Sequence, residues 1–381
     1  MDKYFKKTTG WLMVMALLAV GCSEDDAPVS PENGTQQPTR TLTFKVEVPG
    51  TGNPDTRAHW VYSEEYEIGS TLGFHWDEED IEIDWIRYTG NGTEGNGTYP
   101  ETSVSDESAG KGSLTYNNNT SEMTAGITVS GDDYDETKDK IFLLFATEPH
   151  ITTDGSTANA VVSINATTQR GENTNHLKTS MCMYGEYSGK DEVVKLRHIP
   201  AVLRFIVTNM RGEDVKLSSV SMVSSTDAGF NTKANISYDS KGGYTIVPGT
   251  STQTLVTNIT EVEDEEELGY YPLENNSKTA LYQMVMPTFT EEMEMQFKIQ
   301  CVQAFDKNNG EPSEFSSYTT LVLDGKMIQT KLNDNGTQKA AFCSGYYYTF
   351  HLLLDDKLTL EGVSIKDWTP GDTWNGEGEA N

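Results

Sequence analysis

Apolar and polar residues alternate with a period of two in several short runs of the chain. The first run is TLTFKVEV, in which Leu42, Phe44, Val46 and Val48 alternate with polar neighbours. This period predicts a half-buried β-strand, since successive side chains of a strand point to opposite faces. Similar runs follow downstream, namely IEIDWIRY, VVSINAT, VLRFIVTN, ALYQMVM, MEMQFKIQC and YYYTFHLLL. The run IFLLFA at 141–146 is apolar throughout and indicates a central strand.

Clusters of Gly, Asn, Asp, Ser and Pro separate these runs, and the sequence contains no capped amphipathic segment of helical length. Short strands at this spacing predict an all-β fold of the sandwich type. A second series of strands begins with LRHIPAVLRF, after the loop YGEYSGKDE. We therefore predict an N-terminal β-sandwich domain at 40–192 and a C-terminal one at 193–381, which ends in a polar tail.

Residues 1–21 have the layout of a secretory signal peptide, with three lysines before the apolar stretch at 11–20. Ten apolar residues are too few to span a bilayer. Gly21 and Cys22 resemble the lipobox of bacterial lipoproteins, in which the cysteine is diacylated and becomes the new N-terminus. A plain signal peptide that contains a cysteine is the alternative. Residues 22–39 contain three prolines and no strand-like run, which predicts a disordered tether to the lipid.

The chain is strongly acidic, with a formal net charge of −30 at pH 7. Such a surface repels nucleic acid and anionic lipid headgroups, so we expect neither as a partner. Three cysteines follow Cys22, and an odd number in an exported protein argues against a disulfide framework. Cys301 continues the apolar face of MEMQFKIQC and is predicted to be a small core residue.

The motifs of the chain do not favour catalysis or cofactor binding. GNGTEG has the glycine spacing of a dinucleotide site but lacks a following helix, so we interpret it as a loop. The six histidines are scattered and the acidic runs lack a calcium-loop frame, so we predict no metal site. Trp60, Trp76 and Trp85 either stack on sugars or, as is usual for strand aromatics, lie in the core. We expect no enzyme activity and no cofactor.

Several stretches together resemble the fimbrillin family, the subunits of lipoprotein-derived type V pili. The resemblance begins with the lipidated leader, TLTFKVEV and the Thr-Arg-Ala step at 56–58, and it covers nearly the whole chain after the leader. The further stretches are STLGFHWDEEDIEI, MCMYGEY followed by KLRHIPAVLRFIVTN, and GYYYTFHLLL followed by LEGVSIKDW. Glu79 departs from the family pattern, in which glycine is commoner, and this difference affects a turn.

The resemblance implies two transthyretin-like β-sandwich domains in tandem and a structural role in a cell-surface fimbria that serves adhesion. It also implies that the lipoprotein reaches the outer membrane, is exported to the cell surface and is cleaved after an arginine by a trypsin-like protease. Strand exchange with other pilin subunits then follows, and a ligand on a host or bacterial surface is a further expected partner. The residues CSEDD resemble the acidic export signal of such lipoproteins.

Two arginines that follow threonines, Arg40 and Arg57, flank the first predicted strand. Cleavage after Arg40 only cuts the tether, whereas cleavage between Arg57 and Ala58 also frees the four apolar residues of that strand. Four buried apolar side chains contribute about 6–12 kcal/mol, which is comparable with the stability of a domain, about 5–15 kcal/mol. A subunit cut at Arg57 then exposes an apolar groove that a strand of another subunit fills by β-augmentation.

The C-terminal run KLTLEGVSIKDW is the candidate donor strand. Leu358 and Leu360 alternate with polar residues, Gly362 permits a bulge, and Val363 and Ile365 resume the apolar register. The alternative is that this run is simply the last strand of its own domain.

Two functions therefore stand side by side at the level of the sequence. The favoured one is a stalk or tip pilin that is processed after Arg57 and polymerised by strand exchange. The other is a glycan-binding lipoprotein that stays anchored at the surface through Cys22 and retains its first strand. The two hypotheses differ in what happens at Arg57.

Overall fold

The computed structural model describes residues 39–47, 58–61, 73–76, 81–89, 109–117, 122–130, 139–146, 150–153, 158–164, 168–169, 177, 180–187, 193–225, 229–238, 244–259, 269–290, 292–303, 313–323, 329–333 and 336–367. All of them belong to one compact unit, Pro38–Asn381. The described residues contain no α-helix, and therefore no helix long and apolar enough to cross a membrane. The all-β class predicted from the sequence is confirmed.

Twenty-eight β-strands lie in the described residues. The strands before position 200 are β1 (Thr39–Glu47), β2 (Ala58–Val61), β3 (Gly73–Trp76), β4 (Ile81–Thr89), β5 (Ala109–Asn117), β6 (Glu122–Ser130), β7 (Asp139–Ala146), β8 (His150–Thr153), β9 (Ala158–Ser163), β10 (Thr168–Gln169), β11 (Cys182–Tyr187), β12 (Val193–Lys195) and β13 (Arg197–His198). The strands after it are β14 (Ala201–Asn209), β15 (Val215–Ser224), β16 (Phe230–Asn231), β17 (Lys233–Tyr238), β18 (Tyr244–Pro248), β19 (Ser251–Thr252), β20 (Thr254–Ile259), β21 (Tyr271–Leu273), β22 (Lys278–Val285), β23 (Met293–Gln303), β24 (Ser313–Leu323), β25 (Gln329–Asn333), β26 (Gly336–Ala340), β27 (Tyr346–Leu354) and β28 (Leu358–Asp367). Each alternating run predicted from the sequence overlaps one of these strands, and the residues 48 and 165–167 at the ends of two runs lie outside the described residues.

An eight-stranded sheet contains most of the N-terminal strands, in the order β12-β1-β6-β5-β4-β7-β11-β13. The apolar run at 141–146 forms most of β7, which has a neighbour on each side and whose residues Ile141 to Leu144 are all fully buried. The prediction of a central strand there is confirmed. The short strands β12 and β13, just after the predicted boundary at 192, also belong to this sheet.

In a four-stranded sheet, β22-β14-β27-β28, the first three strands are buried on both faces. Leu203 and Phe205 of β14 pack into the core shared with the sheet β10-β20-β15-β23-β24, to which β21 is added through β15. Val202 and Ile206 of the same strand pack into the core shared with the eight-stranded sheet. This double burial explains why apolar residues lie on both faces of the run VLRFIVTN and not only on one, as strict alternation would give.

A third core lies on the other face of the eight-stranded sheet, where the sheet β18-β17-β9-β8 covers it. Strand β9 pairs antiparallel with β17, and Ala160 and Ile236 are opposite each other and buried. Two strands from after position 192 thus complete a sheet that begins before it. The division into two tandem transthyretin-like domains stays a prediction. The remaining described strands form the pairs β2-β3, β16-β19 and β25-β26.

Candidate functional site

Strand β1 lies between β6 and β12, and we call the position it occupies the β1 slot. The backbone of β1 forms an antiparallel ladder with β6 that extends from Thr39 to Val46. On its other side β1 pairs in parallel with β12 over three residues, and the Leu196 amide donates a hydrogen bond of 2.8 Å to the Glu47 carbonyl oxygen. The backbone of β1 is therefore held mainly by β6.

The inward-facing side chains of β1 are those that the sequence pattern predicted. Leu42, Phe44 and Val46 are only 6–8% exposed, and they belong to the core shared by the eight-stranded and four-stranded sheets. Phe44 lies opposite Ala125, whose small side chain leaves room for the ring. The ring of Phe44 stacks on Tyr187, with 4.6 Å between centroids and an interplanar angle of 9°. Phe44 thus makes the most specific side-chain contact described in the slot.

The outward-facing residues of β1 add little to its attachment. Thr41, Thr43 and Lys45 are exposed. Lys45 forms an ion pair of 2.6 Å with Glu122, and both side chains are about half exposed. Such pairs contribute between about 0 and 1 kcal/mol, because water screens them and both side chains lose rotamer entropy. The attachment of β1 therefore rests on its ladder and its apolar face.

Removal of β1 would expose two kinds of surface at once. The three buried side chains account for about 4.5–9 kcal/mol of hydrophobic stabilisation, a large part of the roughly 5–15 kcal/mol that stabilises a typical domain. Strand β6 would present an unpaired edge, and β12 would lose its one described strand partner. An apolar slot bordered by unpaired backbone groups is a template for strand addition.

The two arginines of the processing hypothesis have different positions. Arg40 lies within β1, exposed and opposite Val129 in the ladder with β6. Cleavage after Arg40 therefore requires that β1 first separates from β6, because a protease binds its substrate as an unpaired extended segment. Arg57 lies outside the described residues, as do Cys22 and Val48. Ala58, which follows the predicted cut, is the first residue of β2.

The candidate donor run forms β28, the last strand of the four-stranded sheet. Leu358, Val363 and Ile365 are 4–7% exposed and lie in the core shared with β15 and β23, with Leu360 packed against it. A register shift opposite His351 and Leu352 interrupts the ladder with β27 next to Gly362, where the sequence predicted that a bulge is permitted. In this structure β28 fills its own core, so its role as a donor stays a prediction.

Of the other candidate residues, Trp85 and Cys301 are described and lie in the core. Trp85 is 3% exposed and lies in the core, so it is not available to stack on a sugar. Cys301 is a buried core residue, as predicted. Burial raises the pKa of the Cys182 and Cys301 thiols to about 12, which keeps both protonated and unreactive at neutral pH. Among the described residues, no group of three or more His, Cys, Asp or Glu side chains could hold a metal ion.

One acidic run includes a residue with a clear structural role. Asp139, at the end of GDDYDETKD, is fully buried, and its Oδ2 lies 3.1 Å from Nε of Arg87 on the neighbouring strand β4. The run WDEEDIEID likewise provides Glu82, which pairs with Lys111 of β5 on the surface. The described residues at the ends of both acidic runs therefore form ion pairs between neighbouring strands.

Sequence reasoning missed the walls of the β1 slot. Ala125, Tyr187 and the three residues of β12 all border it, and none lies near β1 in the chain. The alternation in EMTAGITVS indicates that β6 is a strand. Which strand it pairs with is a long-range property that no local pattern encodes.

A scan against protein-family models finds no match, and a search of the curated proteins finds none. A search of the solved structures finds matches over most of the chain at low identity. A candidate cell adhesion protein from Bacteroides ovatus is 10% identical with a TM-score of 0.44, and the match covers 88% of this chain and 100% of that one. A fimbrial protein from Bacteroides vulgatus is 12% identical with a TM-score of 0.41, over 75% of this chain and 93% of that one.

The tip fimbrial protein Mfa3 from Porphyromonas gingivalis, in a C-terminally truncated form, is 11% identical with a TM-score of 0.35. That match covers 87% of this chain and 100% of the other. These solved structures are adhesion and fimbrial proteins, the class that the sequence resemblance also names.

Proposed function

We propose that this protein is a structural subunit, a stalk or tip pilin, of a cell-surface fimbria that serves adhesion. The subunit matures by cleavage between Arg57 and Ala58 and assembles with other pilin subunits by strand exchange. Its role is structural rather than catalytic, and it needs no cofactor.

The observation that supports this proposal is the construction of the β1 slot. One N-terminal strand fills the slot through three buried side chains and a ladder with a single long neighbour, β6. The chain between β1 and β2 contains Arg57. A single cut there leaves β1 attached to the fold by non-covalent contacts alone, so that another strand can replace it.

The position of Arg40 favours Arg57 as the processing site. Arg40 is paired within the ladder, and a cut there leaves the apolar residues of β1 covalently joined to the fold. A cut at Arg57 releases the lipid tether at Cys22 together with β1. Detachment from the outer membrane and opening of the slot are then a single event, performed by an Arg-specific protease at the cell surface.

The experiment uses the full tagged chain, expressed in the bacterium that produces it, and its variants Arg57→Ala and Arg40→Ala. We expect the wild type and Arg40→Ala to appear in the sheared fimbrial fraction with Ala58 at the N-terminus, in species that resist SDS and dissociate on heating. We expect Arg57→Ala to remain in the outer-membrane fraction with β1 retained. Arg40→Ala is the matched control because it removes the other arginine that follows a threonine.

Two results would contradict the proposal. A wild type that is processed at Arg57 but stays monomeric in its native cells would exclude strand exchange. A surface-exposed wild type that keeps β1 and the lipid, with no processed form, would exclude maturation at Arg57 and favour the anchored glycan-binding lipoprotein instead.

A further inference from the structure

In the described part of β1, the slot accepts side chains at three buried positions, those of Leu42, Phe44 and Val46. The residues opposite them on β6 are Ile127, Ala125 and Met123, in that order. On the β6 side the neighbours at both ends are large and the one in the middle is small, so the central position faces the least side-chain bulk from β6. A strand that replaces β1 in the same orientation must therefore present apolar side chains at three alternate positions, with the largest in the centre.

The central position also requires a particular shape. Tyr187 forms a flat wall there, parallel to the ring of Phe44 at 4.6 Å between centroids. A branched aliphatic side chain fills less of this space and cannot stack on the Tyr187 ring. Aromatic pairs contribute beyond the area that they bury, so an aromatic side chain at this position is preferred over an aliphatic one.

Strand β28 of a second copy does not meet these requirements. Its two apolar pairs, Leu358 with Leu360 and Val363 with Ile365, are separated by an odd number of residues, so they point to opposite faces in a regular strand; in its own sheet a bulge restores the phase, whereas the ladder of the slot is regular. There are four registers that place one of these pairs at adjacent buried positions of the slot. In each of them the remaining buried position receives an unsuitable residue. This residue is Gly362 or Asp356 when the pair is Leu358 and Leu360, and Asp367 or Glu361 when the pair is Val363 and Ile365.

These mismatches are costly for two physical reasons. A glycine at a buried position leaves a cavity, and a carboxylate without a partner loses its hydration on burial. None of the four registers brings an aromatic side chain to the position of Phe44, because β28 contains none.

We infer that the β1 slot selects its incoming strand through an aromatic residue at the position of Phe44, and that this strand comes from a different polypeptide rather than from β28 of a second copy. The inference rests on the proposed function and specifies the partner of its site. The partner strand has the pattern apolar-polar-aromatic-polar-apolar, runs antiparallel to β6, and makes this protein a member of a heteromeric assembly.

The test uses the full chain with an engineered site for a sequence-specific protease at Arg57. Cleavage leaves β1 in place without a covalent bond, and fluorescent peptides are then offered in excess. The peptides are the native β1 peptide Thr39–Glu47, its Phe44→Ala and Phe44→Tyr variants, a Thr43→Ala variant as the matched control, and the β28 peptide Leu358–Asp367. Anisotropy gives the apparent Kd of each peptide in competition with the β1 already in the slot, so all peptides are compared on one protein whose slot residues are unchanged.

We expect the Phe44→Ala peptide to bind at least about 100-fold more weakly than the native peptide. The Kd values of the Phe44→Tyr and Thr43→Ala peptides should stay within about threefold to tenfold of the Kd of the native peptide. The β28 peptide should not displace the native peptide at 100-fold excess. A β28 peptide that competes as well as the native peptide, or a Phe44→Ala peptide within about threefold, would overturn the inference while the proposed function stands. Failure of every peptide, the native one included, would overturn the proposed function and this inference with it.

Discussion

Gly112 shows how closely neighbouring strands of the eight-stranded sheet approach each other. A Cβ atom at this position would lie 2.5 Å from the carbonyl oxygen of Gly126 and 2.7 Å from Cγ2 of Ile127. Backbone atoms of a paired strand cannot move aside independently, so a side chain at 112 must separate β5 from β6. At Gly126 the nearest atom to such a Cβ would be the Ser113 Oγ, at an ordinary 3.5 Å.

We therefore expect Gly112→Ala to lower the free energy of unfolding by about 1–3 kcal/mol. Gly126→Ala is the matched control, and its effect should stay within about 0.5 kcal/mol. Urea denaturation followed by tryptophan fluorescence measures both variants. Equal effects of the two substitutions would show that the approach of the strands at Gly112 is not limiting.

His351 lies on β27 and is 9% exposed. Burial lowers its pKa below the ordinary value of 6.5, and the positive charges of Arg204 and Lys278 lower it further. The folded state therefore holds His351 neutral at a pH where the unfolded chain already binds a proton. As the pH falls below about 6.5, proton uptake by the unfolded state lowers the stability of the fold.

We expect the substitution His351→Gln to reduce this loss of stability at low pH. The free energy of unfolding of the wild type should fall more steeply than that of the variant between pH 7 and pH 5, whereas above pH 7 the difference between them should be constant. Denaturation midpoints at a series of pH values measure both slopes. If the free energies of unfolding of the two proteins changed in parallel over the whole pH range, His351 would not be the group whose protonation lowers the stability.

At the scale of the element, the alternation of buried and exposed positions decides which side chains of a strand pack into the core. In β1 the exposed and buried positions follow each other without interruption from Thr41 to Glu47. In β28 the alternation is interrupted near Gly362, and both halves of the strand still pack into one core because the bulge restores the phase. A regular strand can therefore replace β1, whereas β28 fits its own sheet.

Phe44→Ala in the uncleaved chain should lower the free energy of unfolding by about 3–5 kcal/mol, since it removes a buried aromatic ring and leaves a cavity beside Tyr187. Thr43→Ala, one residue away on the exposed face, should change it by less than about 0.5 kcal/mol. Thermal and urea unfolding of the two variants give the comparison. A small effect of Phe44→Ala would mean that β1 adds little to the fold, and the slot would then lose its significance for assembly.

At the scale of the whole molecule, the three cores link strands from both halves of the sequence. Tyr282 and Met284 of β22 pack into the core that also contains Phe44, although they lie far along the chain. Strand β17 completes a sheet with β9, and β10 pairs with β20. The described strands thus cooperate across the boundary predicted at 192.

We expect residues 40–192 alone not to form a stable fold, because two of the three cores would lose the strands that cover them. The fragment should show no cooperative thermal unfolding and should bind hydrophobic dyes. The chain 40–381, prepared in the same way, is the control and should unfold cooperatively. Cooperative unfolding of the fragment would instead support two independent tandem domains.

The sequence by itself determined the all-β class, the strands at the apolar and alternating runs and the inward face of β1, because the period of two is a local property of any half-buried strand. It also indicated the bulge beside Gly362. Only the tertiary structure decided that β6 and β12 form the walls of the β1 slot, that Phe44 stacks on Tyr187, and that β28 fills its own core. These outcomes depend on pairing between residues distant in the chain, where many strands of similar pattern compete and the packing of the whole core selects one arrangement.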